Sequence, residues 1–143
     1  MKKIERSALV SYSAERMFEL VNDIEAYPNY MPGCVGAEVL ERGEGWLSAR
    51  LDLSRMGVKQ SFSTRNTLDA PRSMKMSLID GPFSKFSGEW QFLSLSDTAC
   101  KVVFCLEFEV SNSLAAIALP KLMEHVASEQ VSALCKRAKQ VFG

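Results

Sequence analysis

The stretch Asn22–Cys34, NDIEAYPNYMPGC, holds two tyrosines, two prolines and a methionine within thirteen residues. Core segments seldom carry that much proline, and surface loops seldom carry that much large apolar surface. Because proline fixes its own backbone and restricts the residue before it, Pro28 and Pro32 limit the segment to a short helical turn and a loop. The stretch separates a helical pattern before it from a long series of strand patterns after it.

The residues before this stretch predict one strand and one helix. Residues 3–12 alternate, with Ile4, Ala8 and Val10 on one side, which indicates a strand with one buried face. Ser13 is a suitable N-cap for the helix that follows. That helix carries apolar residues at helical spacing, namely Met17, Phe18, Leu20, Val21 and Ile24.

The residues after the stretch predict six strands in a meander. Apolar and polar residues alternate with period two from Cys34 to Glu109, interrupted by turn signals such as ERGEG at 41–45 and DAPRS at 69–73. Strands of this kind, each with one apolar face, form a curved antiparallel sheet. The apolar positions are Val35, Ala37, Val39, Leu47, Ala49, Leu51, Leu53, Val58, Phe62, Leu68, Met74, Met76, Leu78, Phe86, Trp90, Phe92, Val102, Phe104, Leu106 and Phe108.

The C-terminal residues predict one long helix. A helix of about 22 residues from Pro120 would be roughly 33 Å long, enough to cross the sheet. Basic residues are enriched toward its end, where the helix dipole favours cations. Its apolar positions are Leu119, Met123, Val126, Leu134, Ala138 and Val141.

The predicted order is therefore β-α-α-β6-α in one domain, residues 1–143, of the α+β class. A curved antiparallel sheet around a long C-terminal helix is the helix-grip architecture. Because a strongly bent sheet cannot touch a straight helix everywhere, we expect a cavity between them.

Polar side chains on the predicted inner face suggest what the cavity would hold. Gln60, Thr64 and Asn66 share the parity of Phe62, and Gln130 would point from the helix toward the sheet. An unpaired buried amide costs about 1–3 kcal/mol, so these groups indicate hydrogen bonds to a ligand's polar head. The alternative is a shifted register or bulge that turns them to solvent. The remaining expected lining residues are Met76, Leu78, Phe83, Trp90, Phe92, Leu119 and Met123.

The opening stretch falls where such a cavity would need a lid. We interpret Tyr27, Tyr30, Met31 and Pro32 as a lip, with the tyrosine rings inward and their hydroxyls in water. The alternative is a packed corner that caps the core.

The charge balance, the N-terminal residues and the cysteines limit which other functions the protein can have. Lys and Arg total 17 and Asp and Glu total 17, so no global field steers the protein onto DNA or an anionic membrane. The N-terminus lacks the apolar run of a signal peptide, which predicts a cytoplasmic protein. The cysteines Cys34, Cys100, Cys105 and Cys135 lack metal-ligand spacing and are expected to be free, buried thiols.

Catalysis has little support in the residues. The one histidine, His125, lies four residues before Glu129, which predicts a surface pair on the helix. The sequence contains no recognisable nucleophile motif and no phosphate loop. We expect no catalytic residues, no metal and no required cofactor, with a cyclase-like activity as the alternative.

Basic residues on neighbouring strands predict a second kind of site. Arg50, Arg55, Lys59 and Arg65 are expected to face outward and could bind RNA or a protein. Because Asp52 and Glu107 lie nearby, a mixed solvated face is the alternative.

Four motifs resemble those of a known family. They are DIEAYPNYMPGC, FSTRN at Phe62–Asn66, LIDGPFSKFSGEWQF at Leu78–Phe92 and KRAKQVFG at the C-terminus. The chain resembles the coenzyme Q-binding, polyketide cyclase-like family of START-type domains over essentially its whole length. Gly33 after Pro32 is similar to the bacterial, ribosome-association toxin branch.

The resemblance implies a helix-grip fold around a hydrophobic cavity. It also implies one of two functions. The first is non-enzymatic binding of ubiquinone or a similar isoprenoid lipid in support of respiration, with transient membrane contact. The second is binding to the large ribosomal subunit, which would block subunit association.

Overall fold

The computed structural model of the protein describes residues 1–55, 57–111 and 118–143. The elements follow the predicted order, with the short second helix formed as a 3-10 helix. They are β1 (Lys2–Val10), α1 (Ala14–Asn22), the 3-10 helix (Ile24–Asn29), β2 (Cys34–Gly43), β3 (Trp46–Arg55), β4 (Val58–Asp69), β5 (Ser73–Asp80), β6 (Phe83–Ser96), β7 (Ala99–Val110) and α2 (Ala118–Phe142).

The seven strands form one antiparallel sheet in the order β1-β7-β6-β5-β4-β3-β2. β2 to β7 form the predicted meander, and β1 pairs with β7 at the far edge, from Lys2 opposite Phe108 to Val10 opposite Cys100. The two short helices carry the chain from β1 to the opposite edge. The predicted helix-grip fold is confirmed.

Bulges bend the strands, because two residues on the bulged strand lie opposite one residue on its partner, which also increases the local twist. One bulge lies between Cys34 and Gly36 at the start of β2. It puts Val35 out of phase, and this side chain is 63% exposed, so its prediction as an inner residue was wrong. Further shifts occur in the β4–β5 and β6–β7 pairs.

Helix α1 begins where the sequence predicted. The Ser13 Oγ accepts a hydrogen bond from the Arg16 backbone N–H at 3.2 Å and so caps the first turn. The helix buries one face, Ala14, Met17, Phe18 and Val21, and contacts β6, β7 and α2.

Helix α2 lies across the concave face and contacts β1, β4 and β7. Pro120 lies in the first described turn of the helix, a position at which proline is tolerated. The apolar positions from Leu119 to Ala138 are buried as predicted, but Val141 is 49% exposed near the helix end. No helix among the described residues is long and apolar enough to cross a membrane.

Candidate functional site

A cavity of about 70 Å³ lies between the concave face and α2. Its walls come from the inner positions of β3, β4, β5, β6 and β7, from α2 and from the segment before β2. The lining residues are Ile24, Tyr27, Met31, Cys34, Ala49, Leu51, Leu53, Phe62, Thr64, Asn66, Met76, Phe86, Trp90, Phe104, Leu106, Met123, Val126, Ala127 and Gln130.

Polar atoms enter this apolar lining from two directions. On β4 the Thr64 hydroxyl donates to Asn66 Oδ1 at 2.8 Å, and both residues are buried. The Asn66 Nδ2 contacts Met74 Sδ at 3.6 Å, and a thioether is a weak acceptor. On α2 the Gln130 Nε2 donates to the Val126 carbonyl at 3.2 Å, which leaves its Oε1 able to accept. The alternative of a shifted register is excluded for Thr64 and Asn66.

The segment from Asn22 to Cys34 packs its apolar side chains into the core, because Ile24, Tyr27, Met31 and Cys34 are buried. The Tyr27 hydroxyl donates to the Val21 carbonyl at the end of α1, and the ring lines the cavity. Burial raises the pKa of the Tyr27 phenol well above its ordinary value, so the proton of this bond is retained. The prediction that the hydroxyl of Tyr27 would reach water was wrong, because Tyr27 is 7% exposed. A packed corner therefore describes this part of the segment.

Gly33 brings the same segment close to α2. Its φ is +81°, a conformation that residues with a Cβ rarely adopt. A Cβ built there would lie 2.7 Å from Val126 Cγ2, so a larger residue would force a shift in the segment or in the Val126 side chain. The glycine thus allows the segment to pack closely on α2.

Replacing Tyr27 with phenylalanine is expected to lower the free energy of unfolding by about 1–3 kcal/mol, because a buried carbonyl loses its donor. Urea unfolding measures the change. Tyr12→Phe is the matched control, since the Tyr12 ring packs on Phe142 with centroids 5.7 Å apart and does not line the cavity. Equal stability losses in the two variants would contradict the role given to the Tyr27 hydroxyl.

Many of the predicted lining residues do lie around the cavity. Both Thr64 and Asn66 are there, and so is Gln130. The apolar and aromatic residues that were predicted and lie in the lining are Tyr27, Met31, Phe62, Met76, Trp90 and Met123. Ligand contact by these residues stays a prediction.

Other predicted lining residues lie elsewhere among the described residues, and each has a local reason. Near the start of β4, Gln60 is half-buried and donates to the Ser61 carbonyl at 2.8 Å, outside the lining of the cavity. Tyr30 and Pro32 face a groove on the outer side of α2. Phe92 is covered by Phe18 and Trp90. Leu119 is buried in the core at the start of α2.

The DGPF turn also lies beside the cavity rather than on it. Gly81 has φ +157°, and a Cβ there would lie 2.9 Å from Phe62 Cβ and 3.2 Å from Leu78 Cδ1. The turn thus packs against Phe62 and Leu78. The Phe83 ring meets Phe62, Phe86 and Phe108 at centroid distances of 5.3 to 6.0 Å. The predictions that Leu78 and Phe83 line the cavity were wrong.

The predictions missed several lining residues. Ala49, Leu51 and Leu53 on β3 and Phe104 and Leu106 on β7 already had the correct parity in the sequence, which was the available signal. Val126 and Ala127 face the cavity from α2. Parity identifies the inner face, but it does not say which inner residues the helix leaves uncovered.

Arg55 differs from the other predicted basic residues in the face it occupies. It pairs with Val58 in the β3–β4 register, two positions after Leu53, so it lies on the concave face. Its Nη1 lies 2.9 Å from Oε2 of Glu129 on α2. This hydrogen bond is the main cause of the lowered pKa of Glu129. The expected outward position of Arg55 was wrong, and the hydrogen-bonded partner of Glu129 is Arg55 rather than His125.

The remaining three basic residues, Arg50, Lys59 and Arg65, lie on the convex face, but two of them already have partners. Arg50 is within 3.2 Å of Glu38 and 3.1 Å of Asp52. The guanidinium of Arg65 lies 4.2 Å from the Trp46 ring centroid. The mixed solvated face describes this surface well, and its use as a partner site stays a prediction.

The titratable groups of the lining are Tyr27 and Cys34; the described lining contains no histidine, carboxylate, lysine or arginine. Burial raises the pKa of the Cys34 thiol, which keeps it protonated and weakly reactive. Within the described residues, no three His, Cys, Asp or Glu side chains come together in a metal-binding cluster. The four cysteines are free; Cys34 and Cys100 are buried, whereas Cys105 and Cys135 are partly exposed.

Comparison with known proteins agrees with this geometry. Residues 10–135 match the family described as polyketide cyclase / dehydrase and lipid transport. Zhui aromatase/cyclase from Streptomyces sp. R1128 has a similar structure, with a TM-score of 0.84 and 20% identity over 99% of this chain and 96% of that one. This likeness concerns the fold.

Two curated relatives differ in what they are named for. The ribosome association toxin RatA of Vibrio cholerae is 47% identical over 143 residues, which are 100% of this chain and 99% of the relative. The mitochondrial coenzyme Q-binding protein COQ10 homolog B of Xenopus laevis is 25% identical over 99% of this chain and 61% of the relative. The chain therefore belongs to the polyketide cyclase / dehydrase and lipid transport family, as its motifs predicted.

Proposed function

We propose that the chain binds the head of a hydrophobic ligand, most specifically an isoprenoid quinone such as ubiquinone, without catalysing a reaction on it. The observation that carries the proposal is the apolar cavity with the hydrogen-bonding groups of Thr64, Asn66 and Gln130 in its wall. Ligand sites of this type combine an apolar lining with a few polar groups that orient the ligand.

The polar groups of the cavity can donate the hydrogen bond that a carbonyl oxygen of a quinone head accepts. Asn66 Nδ2 has a poor partner in Met74 Sδ, so a carbonyl oxygen entering the cavity would offer it a better one. A quinone carbonyl only accepts hydrogen bonds, and the amide supplies the donor. The rest of the ring would lie against Phe62, Trp90 and Phe104.

The size of the cavity means that a quinone enters only if the walls move. Small-molecule pockets usually measure about 300–1,000 Å³, well above the 70 Å³ of this cavity. Met31, Met76 and Met123 line the space, and unbranched methionine side chains repack with little cost. The Arg55–Glu129 ion pair joins β3 to α2 and would part as α2 moves outward.

The name of the COQ10 relative supports ubiquinone as the particular quinone. The test is extraction of the protein from its native host into organic solvent, followed by mass spectrometry, and titration of the delipidated protein with a ubiquinone that carries one isoprene unit. We expect a quinone at a substantial fraction of one per chain and saturable binding. A clean extract together with no saturable binding would falsify the proposal.

Replacing Asn66 with leucine is expected to weaken quinone binding by up to about tenfold, since one net hydrogen bond contributes about 0.5–1.5 kcal/mol. The matched control is Thr67→Val on the same strand, because Thr67 is exposed on the opposite face. Binding is followed by quenching of tryptophan fluorescence, as Trp90 lies in the lining. Equal affinities in the two variants would remove Asn66 from the head-binding role.

The absence of catalysis is part of the same proposal. General acid–base chemistry needs a group whose pKa lies near the working pH. In the described lining, burial raises the pKa of Tyr27 and Cys34 away from neutrality. This part of the proposal would be contradicted if the wild-type protein turned over a polyketide-like substrate and lost that activity when either Tyr27 or Cys34 was replaced.

A second candidate function is association with the large ribosomal subunit. Its specific support is the similarity to the RatA toxin of Vibrio cholerae over the whole chain at 47% identity. The test is sedimentation of the purified protein with isolated large subunits on a sucrose gradient, and counting of assembled ribosomes after overexpression. We expect co-sedimentation and a loss of assembled ribosomes; free protein at the top of the gradient would exclude this function.

A further inference from the structure

A second concave site lies on the outer side of α2. It is a groove of about 350 Å³ between the helix and the loop that follows the 3-10 helix. We call it the α2 groove; its lining residues are Asn29, Tyr30, Pro32, Glu129, Ser132, Ala133, Lys136, Arg137 and Gln140. The cavity and the α2 groove share no lining residue, so α2 separates an apolar site from a polar one.

The charge of the α2 groove is positive. Lys136 is exposed and Arg137 is partly buried, and no carboxylate of the described residues lies within ion-pair distance of either. The acidic residue of the described lining is Glu129, and its carboxylate is already paired with Arg55 at 2.9 Å. Two uncompensated cations therefore face the groove.

An aromatic surface lies beside these cations. The Arg137 guanidinium is 5.3 Å from the centroid of the Tyr30 ring, and Pro32 adjoins it. A guanidinium that stacks on a ring keeps its edge N–H groups for a phosphate. Flat aromatic and guanidinium faces also accept stacked bases of single-stranded RNA.

The helix dipole does not account for Lys136 and Arg137. Its effect falls off within the last turn, and the basic residue in the last turn of α2 is Lys139. The convex face is a poorer alternative, because Arg50 is paired with Glu38 and Asp52. Uncompensated charge and a ring platform thus coincide at the α2 groove.

We propose that the α2 groove binds single-stranded RNA, with Lys136 and Arg137 on the phosphates and Tyr30 against a base. The proposal rests on the second proposed function, association with the large ribosomal subunit. It identifies the surface that contacts the subunit and the phosphates and bases that this surface binds. A looped or unpaired segment of RNA offers both the phosphates and the unstacked bases that the groove needs.

The test uses the double variant Lys136→Gln and Arg137→Gln, with Lys85→Gln and Lys101→Gln as the matched control, since both of these lysines are exposed on the sheet. Two probes are titrated over a range of salt concentrations: a fluorescent twelve-nucleotide oligouridylate and isolated large subunits. We expect the groove variant to bind both probes roughly tenfold or more weakly. Loss of two phosphate contacts should flatten the slope of log K against log salt by about 1.4.

The outcomes separate this proposal from the function on which it rests. If the groove variant binds large subunits as tightly as the wild type does, the proposed role of the α2 groove is wrong and ribosome association stands. If the groove variant loses subunit binding but keeps the salt slope and the oligouridylate binding of the wild type, the α2 groove binds a ribosomal protein. The proposal that it binds RNA is then wrong. Wild-type protein that binds neither probe would overturn both.

Folding of the variants is checked independently. Lys136 is exposed, so its replacement should leave the thermal midpoint unchanged, whereas loss of the Arg137 contact with Tyr30 should lower it slightly. Arg137→Lys keeps the charge and removes the planar stack. It should retain the salt slope while weakening oligouridylate binding; full wild-type affinity would remove the stacking role.

Discussion

Replacing Phe92 with alanine is expected to lower the free energy of unfolding by about 3–5 kcal/mol, a large share of the 5–15 kcal/mol that usually holds a domain together. The ring is 1% exposed. It meets Phe18 edge-on at 5.8 Å and lies parallel to Trp90 at 6.3 Å, so its loss leaves a hole between α1 and the sheet. Urea denaturation followed by circular dichroism measures the effect.

The adjacent residue is the matched control. Leu93 points to the other face of β6 and is 48% exposed, so Leu93→Ala should change stability by no more than about 0.5 kcal/mol. The pair tests the period-two alternation of the strand directly. Similar losses in both variants would mean that the two faces of β6 are not divided as described.

Replacing Ala127 with leucine is expected to weaken quinone binding by about 10- to 100-fold. Ala127 is 3% exposed and faces the cavity from α2, so a larger side chain fills the space that the head would occupy. Admitting a ligand past it requires overpacking, which costs about 1–3 kcal/mol. Leucine is a good helix former, so the helix itself should persist. Titration with the one-isoprene ubiquinone measures the affinity.

Ala118→Leu on the same helix is the control, because Ala118 is exposed and lies outside the described lining. It should bind the quinone as the wild type does. Ala127→Leu should also leave sedimentation with large subunits unchanged, since Ala127 does not line the α2 groove. Simultaneous loss of quinone and subunit binding in Ala127→Leu would contradict the separation of the two sites.

Together with the groove variant, Ala127→Leu would show whether the two proposed functions are independent in this chain. Each variant removes one site and spares the other. If quinone filling moves α2 outward, the two sites are coupled through the helix, and quinone should then change subunit affinity in wild-type protein. Independent sites predict no such change.

The architecture followed from local regularities. Period-two alternation reports which face of a strand is buried, so the strands after Cys34 and the inner positions of Thr64 and Asn66 could be predicted without any long-range information. The cap at Ser13 is equally local, since one side chain satisfies a backbone N–H three residues later.

Local patterns failed where one extra residue changed the phase. The bulge between Cys34 and Gly36 exposes Val35, and the turn at Gly81 packs closely against Phe62 and Leu78 beside the cavity. Arg55 was misplaced for a different reason, because its parity along β3 is opposite to that of Arg50 and the prediction did not use this local signal. The basic side chains suggested that Arg50 and Arg55 share one surface, whereas the strand register decides which face of the sheet each of them occupies.

By itself the sequence determined the family, the order of the elements and the side on which each strand is apolar, because these depend on residues close together in the chain. Only the tertiary structure decided the size of the cavity, the Arg55–Glu129 ion pair and the cations left free beside Tyr30. These depend on where α2 lies across a sheet bent by its bulges, which brings together atoms far apart in the chain. Distance, not residue type, decides which charges are compensated.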